Sequence, residues 1–124
     1  IMAGRSINLC FPEHKILSSA IVGGICPIAT GLAWAIKERG GKERVHVFVG
    51  DMSARTGIYH ECLSYCEGHH LPVSFHIEDN DLSVCTDTRK AWGDIVSYER
   101  GCEELRYYYK LTTVHVGTGQ WVRF

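Results

Sequence analysis

The sequence predicts an α/β layer fold with a mostly parallel sheet, and three observations support this. Two segments with helical periodicity alternate with two apolar segments of strand length, in the order helix, strand, helix, strand. That order is typical of a β-α-β unit, whose two strands run parallel in one sheet. Side chains that carry oxygen atoms able to bind a metal follow both predicted strands. They would lie at the edge of the sheet where α/β proteins bind small molecules.

The first predicted helix covers about Pro27 to Arg39. Apolar residues recur at helical spacing from Ile28 through Leu32 to Ile36. Proline is tolerated in a first helical turn because its missing N–H would have no intrahelical acceptor there. Two consecutive glycines follow the segment, at the point where helices commonly end.

The two predicted strands cover Val45 to Val49 and about Leu71 to Ile77. The first is almost continuously apolar and β-branched, which is typical of a parallel strand that is buried on both faces. The second alternates apolar side chains with proline, serine and histidine. A second helix is predicted between the strands, from about Ala54 to Cys66. These elements make up one β-α-β unit.

The C-terminal part is predicted to be extended, from Tyr107 to Tyr109 and from Leu111 to Val116, with a closing strand over Gln120 to Phe124. A chain of 124 residues has room for one domain, which we expect to span residues 1–124. That domain is expected to be incomplete, because it is shorter than a usual domain of the type that its motifs indicate.

Charge and hydropathy argue against two classes of partner. The formal net charge is −1, which gives no indication of nucleic-acid binding. No apolar run approaches the roughly 20 residues that a membrane span needs. No signal peptide is visible at the start of the sequence, so we expect a cytoplasmic protein with reduced cysteines.

Asp51 follows the first predicted strand and Asn80 follows the second, 29 residues later. Taken singly, each is more often a turn residue or a helix cap than a ligand. Neighbouring parallel strands end at the same edge of a sheet, however, so the two side chains are expected to meet. Carboxylate and amide oxygens suit Mg²⁺, which proteins usually bind together with phosphate oxygens.

The second predicted helix would begin just after Asp51 and present its free N–H groups and its dipole to a diphosphate. Ser53 and Ala54 are small enough for phosphate oxygens to approach the backbone. The residues by themselves therefore predict a magnesium–diphosphate site.

The segment between the strands also contains side chains that could be interpreted as a zinc site. They are His60, Cys62, Cys66, His69 and His70. Structural zinc sites favour Cys-x-x-Cys pairs, whereas these two cysteines are one helical turn apart. We therefore predict that Cys62 and Cys66, like Cys26, are small buried hydrophobic residues.

Three sequence segments, the first of them at residues 4–8, resemble a known family. Gly50-Asp51, followed by Asn80 and by Leu82, resembles the thiamine diphosphate motif of transketolases and 2-oxo acid dehydrogenase alpha subunits, which opens with Gly-Asp-Gly and closes with Asn. Upstream, the run Ile-Val-Gly-Gly at residues 21–24, followed by Pro27, resembles the alpha-subunit segment Ile-Val-Gly-Ala-x-x-Pro. The resemblance covers about residues 4–88 and implies a three-layer thiamine diphosphate-binding fold, of which this chain holds part.

The resemblance implies thiamine diphosphate and Mg²⁺ as cofactors. The implied metal ligands are the side chains of Asp51 and Asn80 and the backbone carbonyl of Leu82. The implied cofactor-binding residues are Val22, Gly23, Asp51, Met52, Ser53, Asn80, Leu82 and Ser83. Glu61 matches an acidic position of the family and His14 is a candidate for substrate contact, while the glutamate that protonates the aminopyrimidine is expected on a partner chain.

The sequence departs from the family pattern at three positions. Met52 replaces the last glycine of Gly-Asp-Gly, where a side chain could crowd the diphosphate or alter the turn. Asp81 occupies the position of a glycine in the transketolase pattern Asn-Gly-x-Ser. Asn8 stands where the alpha-subunit segment Gly-x-Ser-Met-His has its histidine, which is associated with the active site.

The resemblance implies a subunit or fragment of an enzyme that decarboxylates 2-oxo acids oxidatively. A pyrimidine-binding subunit or domain would complete the active site within a homo- or hetero-oligomer. A transketolase-like subunit that transfers two-carbon units is an alternative, which the Asn-x-Leu-Ser run favours. A non-catalytic remnant that binds a cofactor or a partner is a second alternative, which Met52 and Asn8 favour.

Overall fold

The computed structural model describes residues 8–94 and 103–112, and it begins with a small hairpin. Strand β1 (Cys10–Phe11) pairs antiparallel with β2 (Ile16–Leu17) around a short 3-10 turn, Pro12–His14. Within the described ranges, none of the helices is long and apolar enough to cross a membrane. The predicted closing strand over Gln120 to Phe124 lies outside the described residues, as does most of the predicted extended segment from Leu111 to Val116.

Helix α1 (Ile25–Glu38) begins two residues earlier than predicted, and Pro27 is the third residue of its first turn. Its buried face consists of Cys26, Ala29 and Ala33. Ile28 and Leu32, which mark the helix in the sequence, are 41% and 50% exposed. Ile28 and Leu32 therefore point away from the core, small residues bring the helix close to the sheet, and Trp34 packs at the edge of the core.

The central sheet has three parallel strands in the order β3-β4-β7. They are β3 (Val45–Gly50), β4 (Val73–Asp79) and β7 (Glu103–Tyr108). The predicted α/β class and the parallel pairing of the first two strands are confirmed. The second strand begins two residues later than predicted and continues to Asp79. The predicted extended conformation of the tyrosine run is confirmed as far as Tyr108.

Helix α2 (Gly57–Gly68) does not begin just after Asp51, so that prediction is wrong. A 3-10 turn, Ser53–Arg55, comes first, and Thr56 then adopts an extended backbone with φ −74° and ψ 149°. The Thr56 hydroxyl and N–H both donate to the carbonyl of Ser53, at 2.7 and 3.1 Å. These bonds close the short turn, so the backbone next to Asp51 is the 3-10 turn rather than α2.

One hydrophobic core lies between α1, α2 and a single face of the sheet. Phe75 of β4 is fully buried, and the ring of Tyr59 in α2 packs edge-on against it with centroids 5.4 Å apart. The Tyr59 hydroxyl also donates to Glu104 of β7 at 2.7 Å. The core therefore ties all three strands to the helical layer.

The prediction that the first strand is buried on both faces is wrong for the described part of the chain. Val47 and Val49 face the core, whereas His46 and Phe48 are exposed on the opposite face. The reason is that α1 and α2 both pack on the core face of the sheet. On the open face, the Phe48 ring stacks on His76 with centroids 4.6 Å apart.

Two further short elements follow β4. Strands β5 (Leu82–Ser83) and β6 (Thr86–Asp87) form a small antiparallel hairpin, and α3 (Thr88–Trp92) follows directly. Asp87 caps α3, because its carboxylate accepts a hydrogen bond from the N–H of Lys90 at 2.9 Å. The hairpin places the segment after Asn80 beside the end of the sheet.

The predicted burial of three cysteines is confirmed. Cys26, Cys62 and Cys66 are buried free thiols of the core, whereas His60, His69 and His70 are exposed. Burial raises the pKa of Cys26 to about 11, and the neighbouring Cys62 adds to the shift. Burial also raises the pKa of Cys66.

We expect the rate of alkylation by iodoacetamide to distinguish the exposed thiols from the buried ones. At pH 8 a thiol with a pKa of about 11 has about a hundredfold less thiolate than an unshifted one, and burial restricts the reagent further. The exposed Cys10 and Cys85 should therefore react at least about tenfold faster than Cys26 and Cys66. Peptide mapping by mass spectrometry measures the rates, with urea-unfolded protein as the control. Equal rates in the folded protein would contradict the core assignment.

Candidate magnesium and diphosphate site

A pocket of about 280 Å³ opens at the carboxyl ends of β3 and β4. Its walls come from the ends of both strands, from the β5 hairpin and from the segment after β7. Six of the residues predicted to bind the cofactor line it together: Asp51, Met52, Ser53, Asn80, Leu82 and Ser83. The other lining residues are Gly50, Glu78, Val84, Tyr109 and Leu111.

Asp51 lies at the base of this pocket with 3% of its surface exposed. Its N–H donates to the carbonyl of Glu78 at 3.2 Å, which continues the pairing of β3 with β4 beyond Gly50. Its Oδ2 atom is buried and has no hydrogen-bond partner within the described residues. A buried carboxylate oxygen without a partner is costly, so this atom is suited to bind a cation.

Asn80 is held in place on both sides. Its Oδ1 accepts from the N–H of Leu82 at 3.0 Å, and its Nδ2 donates to the hydroxyl of Tyr109 at 3.3 Å. Because the Leu82 N–H can only donate, it fixes which amide atom is the oxygen. A carbonyl oxygen has two lone pairs, so Oδ1 can still bind a cation.

Two further carboxylates join Asp51. One oxygen each of Asp51, Asp79 and Asp81 lies within 4.8 Å of the other two. Asp79 pairs with Arg106 at 2.6 Å, and Asp81 pairs with Arg89 at 2.8 Å. Asp79 and Asp81 were not predicted from the sequence, although their positions on either side of Asn80 were an available signal.

Two departures from the family pattern have a structural explanation. Met52 has φ −67° and ψ −40°, which any residue adopts, and its sulfur accepts a hydrogen bond from the Trp92 indole N–H at 3.0 Å. Asp81 has φ +64°, in the left-handed region that suits glycine and that aspartate tolerates better than most residues. Its carbonyl accepts from the N–H of Thr88 at 2.9 Å.

A tyrosine pair lies beside the pocket, and Tyr109 of this pair lines it. The hydroxyl of Tyr107 donates to the carboxylate of Glu78, and this hydrogen bond raises the pKa of Tyr107 to about 12. The rings of Tyr107 and Tyr109 have centroids 6.3 Å apart. Tyr107 therefore stays protonated at neutral pH and ties β7 to the end of β4 beside the pocket.

Four predicted site residues do not line this pocket. Val22 is an exposed residue before α1, and Glu61 is exposed on α2. His14 is exposed in the hairpin turn and packs edge-on against Phe11 with ring centroids 6.4 Å apart. The functional roles of these residues, and of Gly23, stay predictions. Asn8 is exposed at the start of the described chain.

Gly23 has a clear structural requirement. Its φ is +72°, and a β-carbon at this position would lie 2.6 Å from Cγ2 of Ile58 and 3.3 Å from the hydroxyl of Thr56. Both the backbone conformation and the close approach of α2 therefore demand glycine. This requirement exists whether or not the backbone here contacts a cofactor.

We expect Gly23→Ala to lower the free energy of unfolding by about 2–3 kcal/mol, because it adds a left-handed strain to a steric clash. Gly31→Ala is the matched control, since a β-carbon added at this position in α1 would have no neighbour within 4 Å. That change should raise the stability by about 0.5–1 kcal/mol. Urea titration measures both, and equal effects of the two changes would contradict the geometry around Gly23.

The fold and the pocket define a class of protein: an α/β domain with an acidic pocket at the carboxyl edge of a parallel sheet. The sequence model of the family described as Dehydrogenase E1 component matches residues 4–103. The chain therefore belongs to the dehydrogenase E1 component family. This confirms its resemblance to a thiamine diphosphate-dependent domain of the 2-oxo acid dehydrogenase alpha-subunit type.

The relatives include pyruvate dehydrogenase E1 component alpha subunits. The chain is 33% identical to that of Zymomonas mobilis over 99 residues, which cover 79% of this chain and 28% of the relative. It is 32% identical to that of Rickettsia prowazekii over 99 residues, which cover 79% of this chain and 30% of that relative. It is 29% identical to the chloroplastic subunit alpha-3 of Oryza sativa over 108 residues, which cover 79% of this chain and 25% of that relative. The chain thus spans less than a third of the length of these relatives.

Proposed function

We propose that this chain is the magnesium- and diphosphate-binding part of an enzyme that decarboxylates 2-oxo acids oxidatively, with thiamine diphosphate as its cofactor. Asp51, Asn80 and the carbonyl of Leu82 are the proposed metal ligands. The observation that carries this proposal is the buried Oδ2 atom of Asp51, which has no partner in the described chain and lies in the pocket with five other predicted cofactor residues.

The donor set fits Mg²⁺. A carboxylate, an amide oxygen and a backbone carbonyl are hard oxygen ligands, and Mg²⁺ completes its octahedron with water and phosphate oxygens. Ligand pockets commonly measure about 300–1,000 Å³, so a pocket of about 280 Å³ suits a metal and a diphosphate better than a whole cofactor. The rest of the cofactor would then extend towards another part of the enzyme.

Thiamine diphosphate supplies the carbon nucleophile for 2-oxo acid chemistry. The residues of this chain bind and orient it. Asp51 offers its unpartnered oxygen to the metal, and Tyr109 holds the amide of Asn80 so that its oxygen faces the hairpin. The proposed partner is a pyrimidine-binding subunit in an oligomer, which would supply the glutamate that acts on the aminopyrimidine.

The two alternatives, a transketolase-like subunit and a non-catalytic remnant, differ in their support. The alpha-subunit relatives support the 2-oxo acid assignment over a transketolase-like subunit. A non-catalytic remnant still has the support of Asn8, whereas Met52 is accommodated without backbone strain. An activity assay with a reconstituted pyrimidine-binding partner separates the remnant from the enzyme.

Isothermal titration calorimetry with thiamine diphosphate tests the binding proposal. We expect the chain to bind the cofactor in the presence of Mg²⁺ and to bind it far more weakly in EDTA. Glu38→Gln is the matched control, because it removes an exposed carboxylate at the end of α1 and should leave the affinity unchanged. The proposal fails if the chain binds no cofactor, or if Asp51→Asn binds it as tightly as the unaltered chain.

A further inference from the structure

We propose that Arg106 is a specificity-determining residue of the cation site. By pairing with Asp79, Arg106 holds this carboxylate away from the metal, so that the site binds a divalent cation tightly only together with a diphosphate. This inference rests on the proposed function, because it concerns the same proposed cation site around Asp51. It goes further by assigning a role to a residue outside the range that the family matches, residues 4–103.

The carboxylates are close enough to share one cation. Each of Asp51, Asp79 and Asp81 offers an oxygen within 4.8 Å of the other two. Two oxygens bound on opposite sides of one Mg²⁺ or Ca²⁺ ion lie about 4–5 Å apart. The buried Oδ2 of Asp51, which has no hydrogen-bond partner in the described chain, independently suits this cluster to bind a cation. Without competing partners, all three side chains would be able to bind a bare cation.

Arg106 prevents this for Asp79. Its Nη1 lies 2.6 Å from Oδ2 of Asp79, while Oδ1 of Asp79 accepts from the N–H of Asp81 at 3.1 Å. Each carboxylate oxygen of Asp79 therefore has a partner, and the positive charge of the Arg106 guanidinium opposes a cation beside it. The pair is largely buried, with 18% of the Arg106 side chain and 2% of the Asp79 side chain exposed. Separating a buried ion pair is strongly unfavourable, so an arriving cation does not readily displace Arg106.

The sheet positions Arg106 for this role. It lies opposite Ile77 in the parallel register of β7 with β4, on the face that also carries Asp79. The Tyr109 N–H donates to the carbonyl of Asp79 at 2.9 Å and continues this pairing to the pocket. The guanidinium thus comes from a strand that supports the pocket wall rather than from a surface loop.

The charges explain the dependence on a diphosphate. The three clustered aspartates and Glu78 in the pocket wall carry four negative charges, of which the guanidiniums of Arg106 and Arg89 offset two. The remaining charge attracts a bare divalent ion less strongly than the four carboxylates would without the guanidiniums. A diphosphate brings further negative charge, which favours the metal and is itself attracted by a guanidinium.

The test measures binding of Mn²⁺, as a stand-in for Mg²⁺, by electron paramagnetic resonance of the free ion. In Arg106→Met, we expect the affinity for Mn²⁺ alone to rise at least about tenfold, because Asp79 is released and a positive charge is lost. Arg89→Met is the matched control. The Arg89–Asp81 pair is exposed and therefore screened, so its loss should change the affinity less than about threefold.

A double variant tests whether the gain in affinity requires the Asp79 carboxylate, whereas Arg89→Met, which removes an equal charge, controls for a general charge effect. Asp79→Asn combined with Arg106→Met removes both partners and leaves the net charge unchanged. It should return the Mn²⁺ affinity to within about threefold of the unaltered chain. A tenfold gain that persists in the double variant, or that Arg89→Met matches, would overturn the role of Asp79.

A measurement on the unaltered chain covers the case in which Arg106→Met does not fold. In equilibrium dialysis, which measures the Mn²⁺ that the protein retains, the chain should bind the Mn²⁺–pyrophosphate complex at least about tenfold more tightly than bare Mn²⁺, and equal affinity for the two overturns the inference. Failure of the inference about Arg106 is distinguishable from failure of the proposed function. If the chain binds magnesium and thiamine diphosphate but binds bare Mn²⁺ as tightly as the Mn²⁺–pyrophosphate complex, the role of Arg106 fails alone.

Discussion

Replacing Asp51 with asparagine is expected to stabilise the metal-free domain while removing the proposed affinity for magnesium and thiamine diphosphate. The amide has the shape of the carboxylate but no charge. It therefore removes the cost of burying a charged oxygen that has no hydrogen-bond partner in the described chain. It also removes the repulsion between this oxygen and two neighbouring carboxylates. We expect the free energy of unfolding to rise by about 1–3 kcal/mol at neutral pH.

The same change should weaken cofactor binding at least about hundredfold, because an anionic metal ligand is lost. Urea titration without divalent ions gives the stability, and calorimetry gives the affinity. Asp81→Asn is the matched control, since its carboxylate is partly exposed and paired with Arg89, so its loss should cost less than about 1 kcal/mol. A domain that Asp51→Asn destabilises by more than about 1 kcal/mol would contradict an unpaired carboxylate at this position.

Phe75→Ala is expected to have the largest effect on stability, a loss of about 3–5 kcal/mol in the free energy of unfolding. Phe75 is fully buried at the centre of the sheet, and its ring contacts that of Tyr59. Removing it leaves a cavity between β4 and α2 that rigid neighbours cannot fill. The loss is a large part of the roughly 5–15 kcal/mol that usually stabilises a domain.

Phe48→Ala provides the matched control on the neighbouring strand. Phe48 is 56% exposed on the open face, where its main contact is the stacked ring of His76. Its loss should cost about 1 kcal/mol or less. Thermal and urea unfolding of the two variants give the comparison. Losses of similar size would mean that the open face of the sheet is as well packed as the core face.

The main features of the candidate site follow from local sequence signals. The apolar run at β3 and the alternation along β4 predict two strands, and the helix between them requires those strands to be parallel. Asp51 and Asn80 then meet because parallel strands end at the same edge of the sheet. The structure places both in one pocket, and the family match independently supports the motif to which they belong.

The ion pair of Arg106 with Asp79 could not be predicted in this way. The two residues are 27 positions apart, and their contact depends on the register of β7 beside β4. Nothing in the local sequence around Arg106 specifies that register. The 3-10 turn after Asp51 was missed for a related reason, because a hydroxyl hydrogen bond from Thr56 ends the turn before α2 begins.

The sequence by itself determined the order of the elements, the parallel pairing of β3 with β4 and the meeting of Asp51 with Asn80. These depend on periodicity and chain order, which local residues encode. Only the tertiary structure decided which faces are buried. Ile28 and Leu32 form the apolar stripe of α1 yet lie exposed, and small residues face the core instead. Burial is a property of the neighbours that an element meets, and periodicity alone does not specify those neighbours.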